Sequence, residues 1–151
     1  MKRFLTLTIA LLAAATATHG AIYLHLDDLK GESTSARHAE WIEVFSVQMG
    51  AANPSNRVTL SSVMLRKRLD KSSPLLMRSC ATGRHLPSAV LDVLRSGQAG
   101  IRYMRLKMQD VVVTSVQQSA GGDAPMETVS LNFAKVQWSY TEIAPDGRAL
   151  R

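Results

Sequence analysis

The sequence has very little cysteine: Cys80 is the only one among 151 residues. A single cysteine excludes a disulfide bond within the chain, even in a compartment where disulfides form. Internal repeats and low-complexity segments are missing as well. The folded chain must therefore be stabilised by its hydrophobic core or by assembly with other chains.

Long apolar runs are also missing. The longest lies in the N-terminal stretch MKRFLTLTIALLAAATATHG, where Lys2 and Arg3 precede an apolar run from Phe4 to about Ala15. This run is shorter than the ~20 residues that a membrane-spanning helix needs, and the layout is typical of a secretory signal peptide. Residues 1–20 are predicted to be removed on export, with cleavage following residue 17 or residue 20. A membrane anchor and a first core helix are the alternatives.

The mature chain, residues 21–151, is long enough for one domain with a substantial core. Removing Lys2 and Arg3 from the 18 basic residues leaves 16 of them against 12 acidic ones, a formal charge of +4. This mild positive charge does not favour a nucleic-acid-binding protein. No second apolar run is long enough to enter a membrane once the leader is gone.

The motifs that usually reveal an enzyme are absent from the sequence. It contains no Gly-x-Ser-x-Gly nucleophile turn, no glycine-rich phosphate loop with lysine, and no His-Glu-x-x-His helix. Cys80 and His85 are a candidate thiolate and base, but Cys80 is expected on the apolar side of a short helix, which favours a buried, inert thiol. The sequence therefore predicts no enzymatic activity, no catalytic residue and no cofactor.

The spacing expected of metal ligands is absent too. The histidines of the mature chain lie far apart and without nearby cysteines, unlike the ligands of a zinc site; they are His25, His38 and His85. Asp27, Asp28 and Glu32 are alternative calcium ligands, but they lack the repeated spacing of a calcium loop, which favours solvated turn carboxylates. No metal site is predicted.

The sequence does contain alternating apolar and polar residues, the pattern of β-strands. In VSLNFAKVQWSY, residues 129–140, the apolar positions are odd up to Phe133 and even from Val136 onwards. Because successive side chains point to opposite faces of a strand, this slip predicts a bulge or bend near Ala134 and Lys135. Leu131 and Phe133 are predicted to face the core.

A second slip lies in EWIEVFSVQM, residues 40–49. Its apolar positions are Ile42 and Val44, then Phe45, Val47 and Met49. Two bent strands favour a barrel, because closing a sheet requires bulged corners. Further strands are predicted at residues 22–26, 58–69, 88–95 and 101–116, with loops at 50–57 and 121–125. A β-sandwich is the alternative architecture.

The segment SSPLLMRSCATGRH breaks the β pattern. Ser72 or Ser73 suits a helix cap, Pro74 suits the first turn, and Gly83 suits a left-handed stop. A short helix is therefore predicted at about residues 73–82, with an inward face made of Leu75, Leu76 and Cys80. The predicted fold class is mainly β: a compact antiparallel β-barrel of two sheets with this one flanking helix.

Arg66-Lys67-Arg68 is the densest positive run of the sequence, and further basic residues follow it at Lys71, Arg78 and Arg84. No aromatic residues are interleaved with this run. A solvated strand face or a subunit contact is therefore favoured over nucleic-acid binding.

Five stretches follow one another in an informative order: DDLKGESTSARHAEWIEV, LDKSSPLLMRSCATGRH, LPSAVLDVLRSG, YMRLKMQDVVVTSV and ETVSLNFAKVQWSY. The most specific points within them are Gly31-Glu32-Ser33 followed by His38, Asp70-Lys71-Ser72 running into Pro74, and Leu131-Asn132-Phe133-Ala134. In this order and spacing, from about Ala21 to Tyr140, the stretches resemble Hcp, the haemolysin-coregulated tube protein family of type VI secretion systems.

The resemblance implies a compact β-barrel with one short helix on its side. It also implies that six copies close into a ring and that rings stack into a hollow tube, which a contractile sheath fires out of the cell. The implied partners are further copies of the chain, small effector proteins in the ring lumen, and sheath and spike components. An absence of catalytic residues is consistent with such a structural subunit.

Subunit contacts are placed by this resemblance in the loop from Gln48 to Arg57 and on the strand that carries Arg66 and Arg68. No other feature of the sequence explains the charged residues of this region. The candidate interface residues are Gln48, Asn53, Asn56, Arg57, Arg66 and Arg68.

The sequence departs from the family pattern in three ways. The leader directs the chain to the periplasm, whereas tube subunits assemble in the cytoplasm. The loop from Gln48 to Arg57 lacks the usual glycine-rich extension, which makes stacking of rings doubtful. The chain ends in APDGRALR where the family continues into a further strand, so we expect an uncovered sheet edge that a partner can cover.

Two functions remain open from the sequence. The first is a ring- and tube-forming subunit and effector carrier of a type VI apparatus. The second is an exported binding or adaptor module of the same fold outside any contractile tube. The location is periplasmic or secreted if the leader is used, and cytoplasmic assembly followed by extracellular delivery if it is not.

Overall fold

The computed structural model describes residues 20–95, 100–122, 124–146 and 148–150. In chain order its strands are β1 (Ile22–Leu26), β2 (Ile42–Val44), β3 (Ser46–Gln48), β4 (Ala51–Ala52), β5 (Thr59–Leu60), β6 (Val63–Arg68), β7 (His85–Leu94), β8 (Arg102–Ser119) and β9 (Met126–Tyr140). Helix α1 (Ser73–Thr82) lies between β6 and β7, and a 3-10 turn (Pro54–Asn56) lies between β4 and β5. The predicted leader lies outside the described residues, apart from Gly20.

Seven strands form one antiparallel sheet in the order β2-β1-β7-β8-β9-β6-β3. Its two outermost strands, β2 and β3, are consecutive in the chain and are separated by Phe45, whose amide donates a hydrogen bond of 2.7 Å to the carbonyl of Arg66. The chain itself therefore joins the two ends of the sheet and nearly closes a barrel. The predicted barrel is confirmed, and the second sheet is the small hairpin of β4 and β5.

Both strands of the long β8–β9 hairpin change their buried face at the same point. On β9, Phe133 packs against the core and Val136 is the next residue to do so. On β8, Met108 and Val111 are buried and Asp110 between them has a φ of 52°. The predicted bend is confirmed, but the register is the same on both sides of it, and the shift in register lies further along, between Val113 and Ser115.

The second slip marks the place where the chain crosses from β2 to β3. Ile42 and Val44 are buried, whereas Val47 packs against the core from the other end of the sheet. Phe45, the first apolar position after the slip, is 54% exposed, and the guanidinium of Arg68 lies 5.1 Å from its ring centroid. Phe45 connects two strands, so it belongs to the buried face of neither.

Helix α1 has the predicted bounds, and Gly83 ends it with a φ of 61°. Leu76 is buried and Cys80 packs partly against the core, as predicted. The prediction that Leu75 faces inward is wrong, because this side chain is 39% exposed. A helix of this length buries one narrow stripe, and neighbouring residues lie about 100° apart around its axis. No helix in the described part of the chain is long and apolar enough to cross a membrane.

Several strand boundaries differ from the predicted ones. The strand expected at residues 58–69 is broken between β5 and β6, and the loop expected at 50–57 contains β4 and the 3-10 turn. Strand β7 begins at His85 rather than near Ser88, and β8 continues to Ser119. The core fills the barrel with aliphatic side chains from every long strand and from the helix, among them Leu24, Ile42, Leu65, Leu76, Leu91, Leu106, Val113 and Leu131.

Candidate assembly surface

Residues 50–61 project from the barrel as a hairpin, called the arm below, and every one of them is exposed. The amide of Gly50 donates to Ser61 Oγ at 2.7 Å, and the amide of Ser61 donates to the carbonyl of Gly50 at 2.8 Å, which closes the base of the arm. The predicted interface residues Asn53, Asn56 and Arg57 lie near its tip. Because the arm contributes nothing to the core of its own subunit, it is suited to contact another protein.

Next to the arm, β6 presents an outward face on which alternate residues are exposed: Met64, Arg66 and Arg68. Gln48 lies opposite Met64 on the neighbouring strand β3, so it shares this face with the two arginines. No acidic residue occurs between residues 44 and 69. The arm and this outward face of β6, called the positive face below, carry all six predicted interface residues, and their charged members are Arg57, Arg66 and Arg68.

Strand β9 has an edge without a partner. Strand β6 pairs with it only from Met126 to Leu131, so from Asn132 to Tyr140 the edge turned away from β8 pairs with none of the described strands. A cleft of about 980 Å³ separates the start of this edge from the arm, and it is lined by residues 57–62 and 132–134. An unpaired edge is a template on which another chain can add a strand.

Two aromatic side chains lie on this unpaired part of β9. Trp138 and Tyr140 share a strand face with Val136, which packs against the core, yet they are 57% and 70% exposed. Large exposed apolar side chains next to an open strand edge are typical of a protein contact site. The expected uncovered edge is therefore present in β9.

A buried polar cluster holds the segment of residues 27–41, called the wall loop below, against the outside of the barrel. His38 Nε2 lies 2.9 Å from Asp92 Oδ2, and its ring is stacked on Tyr23 at 4.5 Å between centroids. Arg105 donates two hydrogen bonds to the same carboxylate, at 2.5 and 2.6 Å. This cluster fixes a long connection that has no regular secondary structure of its own.

The charge state of the cluster is set by its geometry. Burial raises the pKa of the Asp92 carboxyl, but the hydrogen bonds from Arg105 and His38 and the nearby charges of Arg105 and Arg102 outweigh this effect and hold the pKa below its ordinary value. The hydrogen bond to Asp92 in turn raises the pKa of Arg105. Asp92 is therefore ionised at neutral pH and forms a buried ion pair with Arg105.

A second buried cluster joins the helix to the barrel. Its central residue belongs to the basic run Arg66-Lys67-Arg68, which the sequence alone indicates to be a solvated strand face or a subunit contact. Lys67 is fully buried, so the run is not a solvated face along its whole length. Its ammonium group donates to Glu127 Oε1 at 2.5 Å and to Asp70 Oδ1 at 2.9 Å. Ser73, the first residue of α1, donates to the same Glu127 oxygen at 2.7 Å. Arg66 and Arg68 alone carry the outward charge of this strand.

The residues considered for chemistry have other contacts in the described part of the chain. His85 Nδ1 lies 2.6 Å from Asp110 Oδ1 on the exposed surface, while Cys80 faces the core. Asp28 forms an ion pair with Arg84. Among the described residues, no three His, Cys, Asp or Glu side chains come together as metal ligands.

Sequence reasoning missed both buried clusters. Their members are far apart in the chain: His38 and Asp92 are separated by 54 positions, and Lys67 and Glu127 by 60. One sequence feature could have indicated them: charged residues occupy strand positions where the apolar–polar alternation predicts a buried or covered side chain. These groups fix backbone segments in place, and the exposed arm, positive face and open edge remain for contacts. The fold and site thus define a mainly β protein whose exposed arm and open strand edge are suited to contacts with other proteins.

The comparisons with known proteins identify the family. The model of the family described as "Type VI secretion system effector, Hcp" matches residues 23–140. Protein hcp1 of Pseudomonas aeruginosa is 34% identical over 139 residues, which cover 83% of this chain and 86% of that protein. This chain belongs to the Hcp family of type VI secretion proteins.

Solved structures agree with this assignment. One described as the structure of a type six secretion system protein has a TM-score of 0.82 and 26% identity, and covers 88% of this chain and 91% of its own. Hcp1 from Salmonella typhimurium has a TM-score of 0.75 and 29% identity, covering 87% and 90%. The similarity extends over the whole barrel, and it supports the structural tube function rather than the adaptor alternative.

Proposed function

We propose that this chain is a ring- and tube-forming structural subunit of a type VI secretion apparatus, and that its rings carry small effector proteins. The observation that carries the proposal is the match to the Hcp family over residues 23–140, which includes every strand of the barrel except the first residue of β1. A ring of six copies is the assembly that the resemblance to this family suggests.

A ring requires a heterologous contact, in which one surface of a subunit binds a different surface of the next. We assign the first surface to the arm with the positive face of β6, and the second to the open edge of β9. The open edge runs for about 26 Å, taking ~3.3 Å per residue. Its far end, at Trp138 and Tyr140, is therefore distant from the cleft at the base of its own arm and accessible to the arm of a neighbour.

Sedimentation velocity of the mature protein, residues 21–151, tests the ring. We expect a species of six-fold mass at high concentration, which Arg57→Glu weakens because it reverses a charge on the arm. Arg78→Glu is the matched control, since Arg78 is exposed on α1, outside both proposed surfaces. A strict monomer at all concentrations up to roughly millimolar would rule out the ring.

Stacking of rings is a separate step. The arm is short, so we expect rings to stack poorly, and electron microscopy of concentrated protein should show single rings in excess over tubes. Abundant long tubes would contradict this expectation. Effector proteins in the lumen, and sheath and spike components as further partners, are tested by affinity purification of the protein from cells with an intact apparatus.

We also propose that residues 1–20 act as an export signal. The proposal rests on the basic residues Lys2 and Arg3 followed by the apolar run. Fractionated cells should contain a product beginning near Ala21 in the periplasm, and Ile9→Arg should retain the precursor inside the cell. A full-length product found only in the cytoplasm would instead indicate assembly there, followed by delivery to the outside through the apparatus.

A further inference from the structure

The open edge of β9 presents backbone groups at alternate positions. The amide of Thr141 donates to the carbonyl of Tyr103, beside β8, at 2.8 Å. In an antiparallel pair, positions that exchange hydrogen bonds alternate with positions whose N–H and C=O groups point away from the neighbouring strand. The register of β8 and β9 is unshifted from Tyr140 back to Val136. The N–H and C=O groups of Val136, Trp138 and Tyr140 therefore point to the open edge, where none of the described strands pairs with them.

The side chains along this edge include a single charged group. Residues 135–141 are KVQWSYT, in which Lys135 is the charged one. Trp138 and Tyr140 are large, exposed and on the same strand face as Val136. Charged side chains are a usual protection of strand edges against pairing with another chain. An apolar edge with one charge at its end is therefore suited to such pairing.

The same edge fits a second copy of itself. Antiparallel pairing about a two-fold axis at Trp138 places this residue opposite Trp138 of the second copy, and Val136 opposite Tyr140. The residue pairs formed in this way all bring outward N–H and C=O groups together, so each exchanges both backbone hydrogen bonds. Aromatic–aromatic and aromatic–β-branched pairs across two strands also stabilise a sheet through their side chains.

The charges of the two copies are compatible in this register. Lys135 lies opposite Thr141 of the second copy, and the two copies of Lys135 are roughly 20 Å apart at ~3.3 Å per residue, beyond the Debye length of about 8 Å in physiological salt. Glu142 of the second copy lies at the level of Ala134, which lines the cleft beside the arm together with Arg57. An acidic residue of each copy is thus brought towards a basic region of the other.

We propose that two copies of this chain pair through residues 136–140 of β9 and form a closed two-fold dimer. The contact is isologous, so it covers both edges at once and recruits no further copy. Five residues of strand edge bury less surface than a standard interface of about 1,600 Å², so the dimer is weak and reversible.

The dimer goes beyond the proposed function and does not rest on it, because a two-fold contact needs neither the arm nor six copies. The proposed ring contact uses the same end of β9 against a different surface of the neighbour. The two contacts therefore exclude each other, and the dimer holds subunits in a form that does not polymerise.

Sedimentation equilibrium of residues 21–151, which include every described strand and the helix, tests the dimer. A residue on the two-fold axis faces its own copy, so Trp138→Lys places two like charges directly opposite each other. We expect Trp138→Lys and Trp138→Glu each to weaken dimerisation at least tenfold. An equimolar mixture of the two variants should associate at least tenfold more tightly than either variant alone, because opposite charges then meet.

Met77→Lys is the matched control, since it removes an exposed apolar side chain on α1, outside the contact, and should dimerise like the parent. Dimers that persist in Trp138→Lys, or a mixture that associates no better than its components, overturn the proposal. A parent protein that stays monomeric up to roughly millimolar also overturns it and leaves the edge to a different protein. A six-fold species without dimers overturns the dimer alone, whereas dimers without a six-fold species support the dimer and count against the ring.

Should the charged variants fail to fold, Trp138→Cys in the Cys80→Ser background decides. Opposed residues of this type have Cα atoms ~5.5 Å apart, which is within the range of a disulfide bond. Mild oxidation must then yield a covalent dimer from Trp138→Cys and none from Met77→Cys in the same background. The absence of a covalent dimer from Trp138→Cys overturns the proposal.

Discussion

Lys67 and Glu127 lie opposite each other on β6 and β9, and their charged groups meet 2.5 Å apart in the interior of the barrel. The same carboxylate accepts a hydrogen bond from Ser73, the first residue of the helix, and its other oxygen accepts one from Gln118 on β8. This one pair therefore connects three strands and the helix. Its removal tests how much stability a buried ion pair contributes to a barrel without disulfide bonds.

We expect Lys67→Met to lower the free energy of unfolding by about 3 to 5 kcal/mol, because it leaves the charge of Glu127 buried without a partner. The double variant Lys67→Met with Glu127→Leu should recover most of this loss, since it removes both charges. Urea unfolding at pH 7 measures both. Arg66→Met is the control on the exposed face of the same strand and should change stability by no more than about 0.5 kcal/mol. A loss below 1 kcal/mol in the single variant would contradict the ion pair.

Gly31→Ala should be among the most damaging single-methyl changes in the protein. A Cβ at Gly31 would overlap the carbonyl oxygen of Trp41 and lie 2.5 Å from Cα of Ile42, both of which are backbone atoms that cannot rotate away. Gly121→Ala is the matched control, because a Cβ there meets nothing within 4 Å. Thermal unfolding should separate the two by more than ~10 °C, taking ~2 to 4 °C per kcal/mol for a chain of this size. Equal melting temperatures would mean that the wall loop does not approach β2 so closely.

Leu131→Ala should destabilise the barrel more than Phe133→Ala, although phenylalanine is the larger side chain. Leu131 is fully buried at 0% exposure, whereas Phe133 is only partly buried beside the open edge of β9. A fully buried leucine costs about 2 to 5 kcal/mol when truncated to alanine. The sequence pattern predicts that Phe133→Ala lowers the free energy of unfolding by about 3 to 5 kcal/mol, the usual range for a buried aromatic side chain. The position of Phe133 beside the open edge makes the expected loss smaller. Denaturant midpoints of the two variants give the order, and the reverse order would place Phe133 in the closed core.

The decrease in the free energy of unfolding at acidic pH should depend on Asp92. Its pKa in the folded protein is below the ordinary value, so its stabilising contribution is present above about pH 4 and is lost as the pH falls through the lowered pKa. Comparing His38→Gln with His38→Gln/Asp92→Asn isolates the contribution of the carboxylate, because residue 38 carries no ionisable group in either variant. The stability difference between them should be constant from pH 7 to pH 5 and shrink below about pH 4. A difference that grows on acidification would contradict the direction of the shift.

The sequence predicts the barrel, both strand slips and the helix because each depends on residues that are close together in the chain. The slip at Ala134 and Lys135 is visible in one strand, and the helix at residues 73–82 is marked by its own proline and terminal glycine. The exposure of Phe45 is not predictable in this way, because alternation shows that the strand changes face but not which residue makes the crossing.

The buried clusters depend on the pairing of distant strands, which a single sequence does not reveal. Lys67 stands between Arg66 and Arg68 and resembles a third surface charge until β6 and β9 are placed side by side. His38 and Asp92 likewise meet only when β1 and β7 are paired beneath the wall loop. In each case the missing information is strand register, which is set by the packing of the whole barrel.

The β8–β9 hairpin also constrains the order in which the chain folds. Its two strands are joined by a short connection and pair along almost their whole length, from Met104 with Tyr140 to Ser119 with Met126. Such local contacts lose little chain entropy on forming, whereas β1 must find β7 across a separation of some 65 residues. The hairpin is therefore the element expected to form early as a nucleus, with β1 and the β2–β3 crossing joining last. Folding kinetics should then slow on truncation of Val113 in the hairpin, while truncation of Leu24 in β1 should mainly speed unfolding.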